Sequence, residues 1–198
     1  NIFVTQNGGL TVTGSVTAGG RVQFATPNVI PSAANVVIDG DVTANNDVFI
    51  HSNNDIIIAA GRTLRGDADA NGAFTTYAVD LHALRSIDFA PSSTLASGSA
   101  ITPFGIVQIL PGLDPNVGGN ATIANVQAED FFGTIRRNAA DTFGGTVTTT
   151  GNIVLSGQMG VFAEAANLSA TGATTQFNLG GTIVTGGQAS IGSMAGNL

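Results

Sequence analysis

The chain has no cysteine, no tryptophan and no lysine, and it carries only two histidines and two glutamates among 198 residues. Without cysteine, disulfides and thiolate-metal sites are excluded. Without lysine, and with six bases against 13 acids for a net charge of −7, the surface is wrong for nucleic acid or anionic lipid. No apolar run approaches the roughly 18 residues of a membrane-spanning helix, so no membrane span is expected. Charged residues make up 10% of the chain, and Trp is missing while Tyr occurs once. A narrow aliphatic interior fits these shortages better than a wide globular core.

What is present is repetition. The stretch from Val36 to Ala60 reads VVIDGDVTANNDVFIHSNNDIIIAA. Its three short apolar alternations, separated by Asn and Asp clusters, have the period of half-buried strands. The same template recurs at Leu10 to Phe24, Val147 to Val161 and Phe177 to Ile191. Setting Gly14, Gly40, Gly151 and Gly181 in one column brings Val16, Val42, Ile153 and Ile183 into a second, with Val12, Ile38, Thr149 and Leu179 in a third. A further column holds Gly20, Asn46, Gly157 and Gly187, followed by Val22, Val48, Met159 and Ala189 and then Phe24, Ile50, Val161 and Ile191. Gly and Asn tolerate a left-handed backbone, so that column is expected to be a corner. A repeat of this size cannot bury its apolar side alone, and stacking coil on coil supplies the missing surface.

The expected fold is therefore all-β, a single-stranded parallel β-helix (β-solenoid), forming one domain over 1–198. N-terminal coils cover 1–90 and C-terminal coils 146–198. Between them 91–145, with Pro103, Pro111, Pro115 and the densest charge, reads as an irregular insertion. Leu81 and Leu84 also fit a helical turn. At about 20–25 residues per coil the rod would have roughly eight or nine coils and a length on the order of 40 Å.

The Asn35 to Gly61 stretch resembles the repeats of filamentous-haemagglutinin-type bacterial adhesins. That resemblance implies a right-handed parallel β-helix exported to the bacterial surface, and hence a secreted, extracellular structural protein without enzymatic activity. Other β-helical proteins, including tailspikes and polysaccharide lyases, share the pattern. The alternative function is thus a glycan-binding or glycan-degrading one. Starting at Asn1 without Met, the chain reads as a processed mature protein or an excised fragment.

Several groups of residues carry possible chemistry. Asp67, Asp69 and Asn71, followed by Gly72, alternate oxygen side chains as a calcium loop does, making calcium the one cofactor to consider. The plainer alternative is a turn in which these side chains cap the backbone. Arg65-Gly66-Asp67 is a tripeptide read by integrin-type receptors, or else an ordinary glycine turn with flanking charges. Host-surface or matrix glycans and receptors are the corresponding partners. Catalysis on glycans would need carboxylates gathered with bases, from among Asp80, His82, Asp88, Glu129, Asp130, Arg136 and Arg137. For His51 and His82, which sit in alternating strands, a solvated surface position is the favoured reading. Short threonine alternations such as Thr146, Thr148 and Thr150 make no continuous grid. Finally, strand alternation begins at Ile2 and Val4 and apolar residues continue through Ile191, Met194 and Leu198. These ends are expected to stack on further copies, making the chain its own partner in a head-to-tail filament.

Overall fold

The computed structural model describes residues 1–26, 34–72, 76–99, 101–136, 145–164, 177–179 and 182–193. Every pairing of strands is parallel, and each strand pairs with the one three places away in the chain. The chain therefore winds past three sheets in turn, which defines a parallel β-solenoid. The first sheet stacks Ile2–Thr5, Val22–Ala25, Val48–Ser52, Val79–Ala83, Ile106–Leu110, Asp130–Arg136, Met159–Glu164 and Ala189–Ser193. The second stacks Leu10–Val12, Val36–Ile38, Ile56–Ile58, Ile87–Phe89, Ala121–Ile123, Val147–Thr149 and Phe177–Leu179. The third stacks Val16–Ala18, Val42–Ala44, Thr63–Gly66, Thr94–Ser97, Asn125–Ala128, Ile153–Leu155 and Ile183–Thr185.

Because parallel strands in register place like positions above one another, the interior is a set of columns. Val42, Leu64, Leu95, Val126 and Ile153 form one in the third sheet, each buried. Phe24, Ile50, Leu81 and Ile109 form another in the first sheet. Each fully buried aliphatic side chain stabilises by about 1.5–3 kcal/mol, and no single coil could supply the second wall. The buried Thr149 interrupts the apolar column that holds Val12 and Ile38.

The sequence columns coincide with the observed register: Val16 pairs with Val42, Val22 with Val48, Ile153 with Ile183 and Val161 with Ile191. Three expectations need correction. The described part of 91–145 is not a lateral insertion, because Thr94–Ser97, Ile106–Leu110, Ala121–Ile123, Asn125–Ala128 and Asp130–Arg136 take their places in the three sheets. Their prolines lie in the corners between strands, where no ladder hydrogen bond is needed. Leu81 lies on a strand and Leu84 in the corner after it, and no helix occurs among the described residues. The coils are also longer and less even than the expected 20–25 residues. Successive partners in the first sheet, Ile2, Val22, Val48, Val79, Val107, Phe131, Met159 and Ala189, lie 20, 26, 31, 28, 24, 28 and 30 residues apart. The variation falls between the strands, where the ladder imposes no fixed length and added residues are tolerated.

The corner glycines serve close approach. Gly20, Gly157 and Gly187 have no left-handed backbone, contrary to the expectation for their column. A Cβ on Gly20 would meet the Asn1 side chain, and one on Gly157 would meet Asp130 Oδ1. A Cβ on Gly40 would meet the backbone carbonyl of Gly14 in the preceding coil.

Candidate functional site

The corners carry a device that the sequence reading assigned only to turns. At one corner a side-chain oxygen in each coil accepts the backbone N–H of the next. Asn35 Oδ1 accepts from Asp55 (3.2 Å), Asp55 Oδ1 from Ser86 (2.9 Å), Ser86 Oγ from Asn120 (3.2 Å) and Asn120 Oδ1 from Thr146 (3.1 Å). A second corner repeats it with Asn125 Oδ1 to Asn152 N (3.0 Å) and Asn152 Oδ1 to Thr182 N (3.1 Å). Backbone groups that leave the sheet ladder at a bend need partners, and short Asn, Asp and Ser side chains supply them from one coil below. The available signal was the recurrence of Asn or Asp one coil apart.

Beside the first of these corners, the outer face of the second sheet forms a cleft of about 440 Å³. Its rim is the corner series Asp55, Ser86, Asn120 and Thr146, with Arg85 among them. Its wall is the outward column Asp88, Thr122 and Thr148, consecutive partners in register. Burial pushes the Asp88 carboxyl above the ordinary carboxylate range and nearby Asp55 adds to this, while a hydrogen bond with Thr122 and the charge of Arg85 act against it. Of this set the sequence singled out Asp88 as a possible catalytic group and Thr146 and Thr148 as part of a threonine alternation. The others are brought together by coil spacings that vary from one turn to the next.

The remaining catalytic candidates are dispersed. Asp80 and His82 lie on the outer face of the first sheet, Glu129 accepts the Gly105 N–H (3.0 Å) and Asp130 the Gln158 N–H (2.6 Å), and Arg136 ends a first-sheet strand. Arg137 lies outside the described residues. The sequence-predicted loop residues hold one another. Asp67 is wholly buried, and its carboxylate accepts the Gly72 N–H at 3.0 Å, while Asn71 Nδ2 donates to Asp69 Oδ2 at 2.8 Å. Among the described residues no group of three or more His, Asp or Glu side chains is arranged to hold a metal. Arg65 donates to the Gly98 carbonyl (2.6 Å), Gly66 is buried, and burial pulls the Arg65 guanidinium below its usual value. The Arg65-Gly66-Asp67 tripeptide therefore lies at the end of a third-sheet strand with its carboxylate buried.

On the first sheet, His82 packs edge-on to Phe49 (5.2 Å between ring centres) and lies 6.4 Å from the His51 ring. His82 Nε2 is 2.9 Å from Asp80 Oδ1, yet among the described residues neither atom has an aligned hydrogen-bond partner. Burial, and next the charge of His82, lower the His51 pKa from 6.5, against a raising hydrogen bond with Asn53. A His whose folded pKa lies below its unfolded value loses stability as pH falls from 6.5 through that lower value. Urea melts at pH about 7 and about 5 are expected to show a larger acid loss for the native chain than for His51→Gln. Equal losses would mean that His51 is solvated.

Compared with known proteins, the chain matches no protein-family model, no curated protein and no solved structure. Among the described residues no helix is long and apolar enough to cross a membrane.

Proposed function

We propose that the chain is a structural rod of a bacterial cell surface, secreted, non-catalytic, and extended by head-to-tail stacking of copies in the manner of filamentous-haemagglutinin-type adhesins. The observation that supports this is the state of the end layers. Ile2, Val4, Val12 and Val16 face the interior but are only partly buried, whereas their partners one coil inward, Val22, Phe24, Ile38 and Val42, are buried. Ile183 and Ile191 stand in the same relation to Ile153 and Val161. Met194 and Leu198, expected at the same joint, lie outside the described residues. On this reading a coil contributed by another copy would complete the apolar columns at either end, and because the two end layers differ, the contact would propagate. The plain pattern resemblance of Asn35 to Gly61 supports the surface setting.

Gly14 provides the test. Gly40, one coil on, cannot carry a Cβ because the Gly14 carbonyl lies beneath it, while a Cβ on Gly14 meets nothing within 4 Å. Gly14→Ala is therefore expected to leave the monomer's melting temperature unchanged yet to prevent another coil from seating below. Electron microscopy and light scattering should show uniform unbranched fibres for the native chain and none for Gly14→Ala. A monodisperse native monomer at high concentration would refute stacking between copies.

A further inference from the structure

We propose that the cleft on the outer face of the second sheet binds a neutral, extended oligosaccharide lying along the rod axis, with successive sugars at the levels of Asp88, Thr122 and Thr148. This names a ligand class for the surface rod proposed above and rests on its extracellular setting, though not on the stacking of copies.

The argument begins with spacing. Asp88 pairs with Thr122 and Thr122 with Thr148, so the outward side chains present polar groups at one coil rise, about 4.8 Å. That rise is close to the length of one sugar residue in an extended glycan, so a chain parallel to the axis keeps register with the wall over three levels. A volume of about 440 Å³ falls within the range of small-ligand sites. The chemistry agrees. The cleft offers a carboxylate, a guanidinium, an amide and hydroxyls from Asp88, Arg85, Asn120 and Thr122, a mixture that both donates to and accepts from vicinal hydroxyl groups.

Electrostatics chooses among glycans. Among the described lining residues Asp55 and Asp88 face the cleft with Arg85 as the one base, and the whole chain carries −7, so uronate or sulfated chains are repelled on approach and in place. Rim oxygens of Asp55, Ser86 and Asn120 are already fixed by the next coil's N–H groups, which holds the cleft in shape before ligand arrives. With hydrogen bonds carrying the contact, a dissociation constant on the order of 0.1–1 mM is expected.

Binding is tested by backbone-amide NMR titration of the full Gly14→Ala chain, which stays monomeric on the stacking account, with β-1,4-linked trisaccharides of glucose, mannose and N-acetylglucosamine, alongside trigalacturonate as the anionic comparator. The expected result is shifts at Asp88, Thr122 and Thr148 with at least one neutral trisaccharide, weaker binding of its disaccharide, and no response to trigalacturonate. Asp88→Ala is expected to weaken binding by about tenfold or more. Thr122→Val, which keeps the strand-forming shape, should weaken it as well, and Thr11→Val, far along the same face, should leave it unchanged. No shift with any neutral trisaccharide, equal or stronger binding of trigalacturonate, or full binding by both Asp88→Ala and Thr122→Val would each overturn the proposal. Fibre formation is read separately by microscopy. Loss of sugar binding with fibres intact removes this inference alone, and fibres absent with sugar bound removes only the stacking.

Discussion

Val42→Asp is expected to unfold the chain. Val42 is completely buried in the third sheet, directly between Val16 and Leu64. A carboxylate there has no cation and no hydrogen-bond donor in reach along an aliphatic column, and an unpaired buried charge destabilises far more than the loss of a valine. A penalty of at least about 4–5 kcal/mol is expected, a large part of the 5–15 kcal/mol that holds a typical domain folded. The neighbouring Thr43→Asp provides the contrast. Thr43 points outward beside Arg65, so the same carboxylate stays in water and the melting temperature should barely move. Circular dichroism melts of the two variants decide it. Equal melting temperatures would mean the side-chain alternation is inverted or absent.

Gly40→Ala is expected to have the second largest effect. One methyl group placed against the Gly14 carbonyl must push two coils apart at a corner, disturbing the ladder on both sides. Overpacking of this kind costs about 3 kcal/mol. Gly19→Ala is the control: nothing lies within 4 Å of its Cβ and its backbone is not left-handed, so the change should be neutral or slightly stabilising. A Gly40→Ala chain as stable as the native one in urea would show that the corner approach is looser than described.

These variants mark how far the sequence could be read. Columns built on Val22 and Val48, or Ile153 and Ile183, were visible because a buried strand position demands an apolar residue in every coil. The central coils were not recognised. Strands such as Thr63–Gly66 and Thr94–Ser97 contribute one large apolar residue each, Leu64 and Leu95, and fill the narrow corner with Gly66 and Ser97. Ser97 can be buried because its hydroxyl donates to the Gly105 carbonyl at 2.9 Å, which no apolar pattern signals. Uneven corners then shifted the spacing and made 91–145 look like an insertion. Asp67 shows the same limit at the level of a site. Its alternation with Asp69 and Asn71 suits a cation loop, but whether the carboxylate turns outward or closes on the Gly72 N–H depends on a corner that spacing does not specify. The cleft was hidden for a related reason, since Asp55, Asp88, Thr122 and Thr148 are scattered in the sequence and become neighbours only through the register.

A single distance tests the continuous three-sheet stack most directly. Thr17 and Val184 are both exposed, on the two edge strands of the third sheet, six interstrand steps apart. The chain has no cysteine, so Thr17→Cys/Val184→Cys can be spin-labelled cleanly and diluted into unlabelled chain for pulsed electron-electron resonance. At about 4.8 Å per step the backbones should be about 29 Å apart, giving one narrow distance distribution centred near that value once label reach is included. A broad distribution, or one centred beyond about 50 Å, would contradict the continuous stack set by that spacing.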